Sequence, residues 1–463
     1  MPRAKHNRPD PIVEVLPSLA SGSVVLTCGD GGCGQLGHSD RHMAGKKPRR
    51  VADLPTTTDR GRIRQVAAGA MHSVVLYEDG SVYICGARDN GAVPTVSNDL
   101  SGDVTVLTRL DQMDDFVGEH GKAVRLTSGS GFTAVLTEKG SVVAFGYIHA
   151  DELFSERPLL DQMRQAPTLL FDHRHLMGRV VKIVAGDNHL VVLTDQHRVY
   201  TFGDASQGQL GRVAPNRPAR KVVTCASGAQ LSLPPLRPTR HAMDVWACAY
   251  ATVIQTDRRD CFVAGLNNYG QLGVPLGATE HDSEDDVKSL YNVTLRRSEQ
   301  FEAPLSTVDG PAGDDKNERW TQIAGDHHTV LLSGNGDVYT VGRNVDDRLG
   351  LGSYAGNAQL EWRKFTLTLV PLAAPAVHVA ASQACTTAVL DDGAAYSWGV
   401  DTCGQCGVGE GDGECLARPT KVISKHLEGL RIVQVAHGSQ HAVFLADEIV
   451  QTDGSSADET VNE

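Results

Sequence analysis

One interval recurs along most of this chain, and it limits the possible folds more than any other feature. Two glycines stand seventeen residues apart at Gly69 and Gly86. The same interval separates Gly129 and Gly146, Gly186 and Gly203, Cys248 and Gly265, Gly325 and Gly342, and Ser382 and Gly399. The units that these pairs mark start 60, 57, 62, 77, 57 and 56 residues apart, the last at Gly438. Such a period is typical of repeat architectures, in which stacked units share one continuous core.

The content of a unit predicts strands. Val180 to Gly211 contains the apolar runs VVKIVAG, HLVVLT and HRVYTFG, followed by the turn SQGQLG. Runs of this length between glycine-bearing turns indicate β-strands, and none of them has helical spacing. A further apolar run, often led by proline, predicts a fourth strand in each unit. Examples are Pro48 to Val51, Pro167 to Phe171 and Pro419 to Ile423.

The two ends of the ordered chain each carry half a unit. Ser23 to Gly37 matches only the second half, and Ile432 to Ala446 matches only the first half. The six complete units begin near Ile63, Ala123, Val180, Ala242, Trp320 and Val377. A circular array closed by its own ends leaves no sheet edge at the seam. The sequence therefore predicts an all-β, seven-bladed β-propeller over residues 21–446, closed by N- and C-terminal half repeats.

The two tails differ in charge from each other. Residues 1–20 carry Arg3, Lys5 and Arg8 among prolines, whereas residues 447–463 contain six acidic residues and no basic one. Both compositions predict disordered segments, one basic and one acidic.

Two segments inside the array depart from the repeat. Residues 212–240 contain six basic residues and no acidic one, although the whole chain has a net charge of −13. This basic loop is predicted to bind an anionic partner. Residues 278–318 contain eleven acidic and four basic residues, and this acidic insertion is predicted to loop out into solvent.

Motifs for covalent chemistry give little support to an enzyme. Gly29 to Gly34 fits G-x-G-x-x-G, but Gln35 and Leu36 follow it rather than a helix. Cys403 to Cys406 is a single C-x-x-C without a second pair at zinc-site spacing. We expect no cofactor, no metal and reduced cysteines. The start of the chain has no apolar core of the signal-peptide or membrane-anchor kind, so we expect an intracellular protein without membrane contact.

The recurring V-A-G-x-x-H, V-Y-x-x-G and G-Q-L-G motifs resemble the repeat of the regulator of chromosome condensation family. Stretches similar to that family are Gly69 to His72, Gly208 to Val213, Asn267 to Tyr269, Gly325 to Val330 and Lys46 to Pro48. The resemblance covers about Ser23 to Ala446. It implies a nuclear, chromatin-associated guanine nucleotide exchange factor for the small GTPase Ran. Such a monomeric factor serves nucleocytoplasmic transport and mitosis and catalyses no covalent reaction of its own.

The resemblance also implies which side chains face the GTPase. His327 matches the exchange-critical histidine of the family, and Asp187 and Asn188 fall at an exchange-critical acid, with Asp187 one position early. Further matching residues are His72, Arg212, Asp326 and His441. A second family acid falls at Ser130, which has no charge. Tyr147 to Asp151 occupies the place of a protruding wedge but lacks its pattern.

For chromatin, the resemblance implies two sets of basic contacts. Arg217 or Arg220 would enter the acidic patch of the core histones on the nucleosome, since arginine pairs with carboxylates through two parallel hydrogen bonds. The residues expected to contact DNA phosphates are Arg3, Lys5, Arg8, Arg237 and Arg240. Contacts of this kind weaken as salt rises.

Three alternatives remain open on the sequence. His72, His189, His328 and His441 recur three residues after the repeat position of Gly69, so an architectural role competes with a functional one. The propeller could also bind chromatin or another protein without exchange activity, which Ser130 and the altered wedge favour. The third alternative is a scaffold of tubulin-like or ubiquitin-pathway type that uses the same repeat.

Overall fold

Antiparallel β-strands make up most of the structure, which is a computed structural model. It describes residues 10–12, 22–39, 44–52, 54–55, 60–88, 91–94, 102–149, 157–212, 229–231, 233, 240–275, 291–302, 319–353, 362–383, 385–409 and 414–449. Within these ranges the strands form seven four-stranded sheets, which confirms the predicted seven-bladed propeller. The repeat period therefore fixed the architecture correctly.

The first part of the chain supplies two strands and then three whole blades. β1 (Ser23–Asp30) and β2 (Ala44–Arg50) come first. Blade 1 contains β3 (Ile63–Ala68), β4 (His72–Tyr77), β5 (Val82–Gly86) and β6 (Val104–Arg109). Blade 2 contains β7 (Ala123–Ser128), β8 (Phe132–Thr137), β9 (Val142–Gly146) and β10 (Thr168–Phe171). Blade 3 contains β11 (Val180–Ala185), β12 (His189–Thr194), β13 (Val199–Gly203) and β14 (Ala229–Leu231).

The remaining blades follow in the same order. Blade 4 contains β15 (Ala242–Cys248), β16 (Ala251–Thr256), β17 (Cys261–Leu266) and β18 (Tyr291–Arg297). Blade 5 contains β19 (Trp320–Gly325), β20 (His328–Ser333), β21 (Val338–Arg343) and β22 (Arg363–Leu369). Blade 6 contains β23 (Ala376–Ala381), β24 (Cys385–Leu390), β25 (Ala395–Val400) and β26 (Cys415–Lys421). Blade 7 combines β27 (Leu430–His437) and β28 (His441–Glu448) with β1 and β2.

Blade 7 closes the ring in the way the two half units predict. β1 from the start of the chain pairs with β28 from its end, in continuous register from Ser23 opposite Asp447 to Gly29 opposite His441. The inner strands β27 and β3 are also in contact across the seam. Because the first and last strands pair with each other, neither is left as an open edge.

Close backbone approach explains the seventeen-residue glycine interval. A Cβ atom on Gly186 would lie 2.4 Å from the carbonyl oxygen of Cys248 in the next blade. Gly203 has a φ of +111°, and a Cβ there would lie 2.3 Å from the carbonyl oxygen of Asn188. Both distances are too short for any side chain, and the positive φ favours glycine by itself. In blade 3 the two glycines thus mark two places where backbones meet.

The hydrophobic core lies between neighbouring blades. The second strand of blades 1 to 6 is buried along its length, as in β12 and β20. Phe132 of blade 2 and Leu190 of blade 3 belong to one such interblade cluster and are both 0% exposed. Burying a side chain of this size contributes about 2 kcal/mol, so seven interblade layers hold the ring together.

The antiparallel sheets give the propeller two distinct faces. We call one the channel-mouth face; it carries the turns between first and second strands, such as Gly69 to Met71, and the loops between third and fourth strands. We call the other the far face; it carries the turns between second and third strands, such as Glu78 to Ser81, and the connections between blades.

Strands divide both predicted insertions. β14 interrupts the basic loop 212–240, and β18 interrupts the acidic insertion 278–318. The expectation that 278–318 loops out into solvent is therefore wrong for Tyr291–Arg297, which pairs with β17 as the outer strand of blade 4. Its YNVTLRR sequence has the β-branched and aromatic residues of a strand, which the acidic composition of its flanks concealed.

Described residues extend beyond both predicted boundaries of the propeller. β28 continues to Glu448, beyond the predicted boundary at residue 446. Near the other end, residues 10–12 contact the propeller, and the backbone N–H of Ile12 donates to the carbonyl oxygen of Met243 at 2.9 Å. A register shift between Ala242 and Asp244 lets that carbonyl bind outside the sheet.

In the ranges given above, the helices lie in the connections between strands. α1 (Val117–His120) precedes blade 2, and α2 (Arg157–Gln165) lies between β9 and β10. Short 3₁₀ turns span Asp111–Phe116, Val345–Asp347 and Lys425–Leu427. In the described part of the chain, no helix has the length and apolar character needed to cross a membrane.

Candidate functional site at the channel mouth

Backbone hydrogen bonds link neighbouring blades around the mouth of the central channel. The N–H groups of Ala70, Ser130 and Asp187 donate to the carbonyl oxygens of Ser130, Asp187 and Ala249, at 2.7 to 2.9 Å. The ring encloses a cavity of about 240 Å³ lined mostly by glycine, alanine and serine. Small residues keep the mouth open, so the few larger polar side chains there stand out.

Two carboxylates, from blades 3 and 5, lie at this mouth. Asp187 and Asp326 both line the cavity, and Asp326 is 5% exposed. Burial and the charge of Asp326 raise the pKa of Asp187 to about 6, although Tyr250 and His327 act in the opposite direction. The site therefore holds concentrated negative charge in a partly dry position, which favours a cation from a partner.

His327 lies beside this acidic pair. Its Nδ1 is 3.0 Å from the Asp326 carboxylate, and 29% of its side chain is exposed. The rings of Tyr250 and Tyr269 approach it with centroid distances of 6.0 and 5.5 Å. The imidazole is thus oriented by a carboxylate and two aromatic rings while part of it faces solvent.

An aromatic and cationic group extends the site across blades 4 and 5. The Arg343 guanidinium lies 5.7 Å from the Tyr269 ring centroid, and Tyr269 packs against Trp362 at 6.0 Å. Arg363 lies over the Trp362 ring at 4.3 Å. Sequence reasoning missed these residues, although Tyr269 stands in the Asn267 to Tyr269 stretch that resembles the family.

Asn188 positions the segment predicted to be the wedge. Its Oδ1 accepts a hydrogen bond of 2.8 Å from the backbone N–H of His149. Tyr147 contacts His149 through its hydroxyl at 3.1 Å, and the Arg164 guanidinium lies 5.2 Å from the Tyr147 ring. The structure therefore places Asn188 against the segment Tyr147–His149. Residues 150 and 151 lie outside the described residues.

The expected surface position of His72 and His441 is wrong. Both are 0% exposed, and each spans the gap to the next blade. Nε2 of His72 contacts the Thr133 hydroxyl at 3.0 Å, and Nε2 of His441 contacts the Ser73 hydroxyl at 3.0 Å. Buried side chains of this kind cannot touch a docked protein, so the architectural alternative holds for them.

The same interblade contact recurs at the other repeat histidines. His189 and His328 contact the hydroxyls of Thr252 and Thr386 at 3.1 and 3.0 Å. The Thr252 hydroxyl donates its proton to the carbonyl oxygen of Gln209 at 2.7 Å, so Nε2 of His189 must donate.

Burial keeps these four rings neutral. It lowers the pKa of His72 and His189 to about 4 and that of His441 to about 3, and it places the pKa of His328 well below its usual value. The Nδ1 atoms of all four are buried without a hydrogen-bond partner in the described structure. A proton on Nδ1 would find no acceptor, which accounts for the direction of these shifts.

The remaining predicted residues are placed differently. Arg212 turns toward its own blade and donates to the Thr201 hydroxyl and carbonyl oxygen, both at 2.8 Å. Arg240 forms an ion pair with Asp260 on the far face. To contact a DNA phosphate, Arg240 would have to leave that pair. The other predicted chromatin contacts, Arg3, Lys5, Arg8, Arg217, Arg220 and Arg237, lie outside the described residues.

Among the described residues, His120, Asp172 and His173 form a group with metal-ligand spacing, on the far face. Nδ1 of His120 and Nδ1 of His173 both contact the Ser141 hydroxyl, at 3.0 and 2.8 Å. Hydrogen bonds from Arg174 lower the pKa of Asp172 well below its usual value. The donor atoms are engaged with protein partners, so the group joins two interblade connections rather than forming an open coordination site.

Comparison with known proteins places the fold in a family. The profile of the RCC1-like domain matches residues 24–444. The chain is 31% identical over 447 residues to the Regulator of chromosome condensation of Xenopus laevis, which covers 95% of this chain and 94% of that protein. It is 24% identical over 455 residues to the guanine nucleotide exchange factor SRM1 of Saccharomyces cerevisiae, covering 88% and 83%.

A solved structure agrees with the architecture. Prp20p from Saccharomyces cerevisiae superposes with a TM-score of 0.75 at 21% identity, covering 95% of this chain and 94% of that one. At this level of identity the likeness supports the fold alone.

Proposed function

The chain belongs to the RCC1-like domain family, and from that premise we propose that it is a guanine nucleotide exchange factor for the small GTPase Ran. We propose further that it acts in the nucleus, on chromatin. Relatives of similar length are named as a regulator of chromosome condensation and as a guanine nucleotide exchange factor. The observation that carries the proposal is the cluster of Asp187, Asp326 and His327 on the channel-mouth face.

The acidic pair explains how a propeller could release a nucleotide. A GTPase holds the phosphates of its nucleotide with a lysine of the phosphate-binding loop. Asp187 and Asp326 would attract that lysine, because a cation relieves the repulsion that raises the pKa of Asp187. The same carboxylates would repel the phosphates. The propeller then binds the nucleotide-free GTPase more tightly than the loaded one, and each 1.4 kcal/mol of that difference is about tenfold in nucleotide release.

The residues around the pair suit a docking surface. Exposed His327 is held by Asp326 and flanked by Tyr250 and Tyr269. Tyrosine, tryptophan and arginine supply most of the binding energy at protein interfaces. Tyr269 and Arg343 would therefore anchor the GTPase while the carboxylates act on its phosphate-binding loop.

The experiment is fluorescent GDP release from Ran. We expect micromolar amounts of the chain to accelerate release, and Asp187→Asn to lose most of that acceleration. Asp391→Asn is the matched control, because Asp391 is an exposed acid in a turn on the far face. Absence of acceleration by the wild-type chain would overturn the proposal, as would equal losses in the two variants.

A second candidate is a propeller that binds the same partners without exchange activity. Ser130 favours it: the resemblance implies an acid at this position, and the Ser130 backbone N–H and carbonyl oxygen are both engaged in the ring. This candidate predicts that Ran binds the channel-mouth face while GDP release stays at its spontaneous rate.

We also propose contacts with the nucleosome. Residues 212–240 carry six basic residues and no acid in a chain of net charge −13. Arg217 and Arg220 would pair with the histone acidic patch, while Arg3, Lys5, Arg8 and Arg237 would contact DNA phosphates. The structure of the yeast protein Prp20p superposes on this chain, and Prp20p is a protein whose binding to histones has been characterised.

Nucleosome binding is tested with the double variant Arg217→Ala, Arg220→Ala. We expect it to bind nucleosomes weakly while GDP release in solution stays unchanged. A control that removes the same charge elsewhere is Arg49→Ala, Arg431→Ala, since both of these arginines are exposed. Equal nucleosome affinity of the two double variants would contradict the histone assignment.

A further inference from the structure

The boundary between blades 6 and 7 departs from the repeat at two positions that meet in space. Where four blades have an interblade histidine, blade 6 has Cys385. At the position just before the repeat glycine the other six blades have alanine or serine, whereas blade 7 has His437, the last residue of β27. The Cys385 sulfur lies 3.4 Å from Nδ1 of His437. The histidine of this boundary therefore comes from the opposite blade and faces a thiol as well as a hydroxyl.

A second thiol lies against the first. Cys385 pairs with Gly399 across β24 and β25, and the Cys406 sulfur lies 3.4 Å from the carbonyl oxygen of the next residue, Val400. Cys385 and Cys406 share one small buried cluster with Val408. Hydrogen bonding from Cys406, together with His437, lowers the pKa of Cys385 well below its usual value, although burial alone would raise it.

The neighbours of His437 complete a path for its proton. Nε2 of His437 lies 2.7 Å from the Thr387 hydroxyl, which lies 2.7 Å from the Ser397 hydroxyl. With protons on both ring nitrogens, His437 donates through Nδ1 to the Cys385 sulfur and through Nε2 to Thr387. The arrangement thus suits a thiolate paired with an imidazolium.

Two residues that contact the Cys385 sulfur connect it to the channel-mouth cavity. Ser382 and His437 line that cavity, and the Ser382 hydroxyl lies 3.4 Å from the Cys385 sulfur. The sulfur itself is buried, since Cys385 is 1% exposed. A cavity of about 240 Å³ admits molecules of the size of water. This access suits a small oxidant and excludes a protein thiol.

We propose that Cys385 and Cys406 form a peroxide-sensitive dithiol site, in which Cys385 is the nucleophile, His437 its base and Cys406 the resolving thiol. In the first step the Cys385 thiolate attacks hydrogen peroxide; an S–O bond forms, the O–O bond breaks, and the leaving hydroxide takes the proton of His437 as water. In the second step the Cys406 sulfur attacks the sulfenic acid, displacing hydroxide, which leaves as water with the Cys406 proton. Two thiols and one peroxide give one disulfide and two waters.

The test is a titration of the full chain with hydrogen peroxide, followed by alkylation and peptide mapping. Cys85 is the internal control, because burial raises the pKa of its thiol to about 12 and it donates to a carbonyl oxygen. We expect a Cys385–Cys406 disulfide that dithiothreitol reverses, formed at least tenfold faster than Cys85 is consumed. Oxidation of Cys385 that is no faster than oxidation of Cys85 would overturn the proposal. This comparison is made within the wild-type chain and needs no variant.

Two variants assign the roles. Cys406→Ser should leave a sulfenic acid on Cys385, which dimedone traps when the oxidised chain is unfolded in its presence, whereas absence of the label would contradict the resolving role. His437→Asn keeps a polar atom near Nδ1 but no base, so oxidation of Cys385 should slow about tenfold or more. An unchanged rate would contradict the role of His437. None of these readings depends on exchange activity.

Discussion

His327 and His328 are adjacent in the sequence but belong to two regions with opposite properties. His328 is 0% exposed and joins blade 5 to blade 6 through Thr386, as three other repeat histidines join their blades. His327 points out at the channel mouth, beside Asp326 and two tyrosines. The comparison teaches that the repeat supplies the interblade histidine, whereas the residue next to it is free to serve a particular partner.

The largest expected effect concerns the buried histidines as a set. The pKa of His72 and His189 is about 4, and that of His441 about 3, against about 6.5 in the unfolded chain. As pH falls, the histidines of the unfolded chain therefore bind protons before those of the folded chain. The stability that the neutral buried rings contribute is fully present above pH 6.5 and is lost as pH falls toward 4. The loss in the free energy of unfolding is on the order of 2 kcal/mol per histidine.

Urea unfolding at pH 7.5, 6 and 5 measures this loss. His189→Gln is the matched variant, because glutamine can donate to Thr252 but does not titrate. It should show a weaker pH dependence than the wild-type chain. The same slope in both proteins would contradict the assignment.

The next effect separates the two neighbouring histidines. His328→Ala removes the bond to Thr386 and leaves a buried cavity, so we expect a loss of about 3 kcal/mol in the free energy of unfolding. His327→Ala, at a partly exposed position, should change it by less than about 0.5 kcal/mol. Similar losses in the two variants would remove the distinction between the two regions.

A smaller effect of opposite sign is expected at Asp187. Because the pKa of Asp187 is raised, the folded state disfavours the charged carboxylate. The stability that the protonated Asp187 contributes is therefore present at low pH and is lost as pH rises through about 6. Asp187→Asn should therefore raise the stability above pH 6 by on the order of 1 kcal/mol, with no gain near pH 4. Thermal unfolding at the two pH values tests this. A loss of stability at pH 7.5 would contradict the repulsion between Asp187 and Asp326.

The smallest effect is expected at Tyr250. Its hydroxyl stabilises the charged form of Asp187, so Tyr250→Phe should shift the pH dependence of GDP release to higher pH. We expect release to rise with pH through about 6 in the wild-type chain, and the midpoint to move up by ~0.5 units in the variant. An identical profile would mean that ionisation of Asp187 does not limit exchange.

The sequence predicted the blades well because backbone approach leaves a direct mark on it. Gly186 and Gly203 are required by contacts with Cys248 and Asn188, and such glycines can be counted. The start of the inner strand at Ile63 and the pairing of the two chain ends were likewise predicted from spacing alone. Strand β18 was missed because its acidic flanks masked a short strand with Tyr, Val and Thr among its seven residues.

The candidate site was predicted less completely for a physical reason. Asp187 and His327 could be named from the resemblance, but the roles of His72 and His441 depend on which way a side chain turns between blades. A hydroxyl in the next blade decides this, as Thr133 and Ser73 do. Tyr250 and Tyr269 join the site only through the curvature of the ring, which spacing within one repeat does not report.

The central claim is that the exposed cluster at the channel mouth, and not the buried histidine beside it, acts on the GTPase. The most direct measurement is GDP release from Ran by the wild-type chain, His327→Ala and His328→Ala, at a temperature where all three are folded and per folded molecule. We predict acceleration by the wild-type chain, a loss of about tenfold or more for His327→Ala, corresponding to about 1.4 kcal/mol, and little change for His328→Ala. Equal losses in both variants, or no acceleration by the wild-type chain, would contradict the claim.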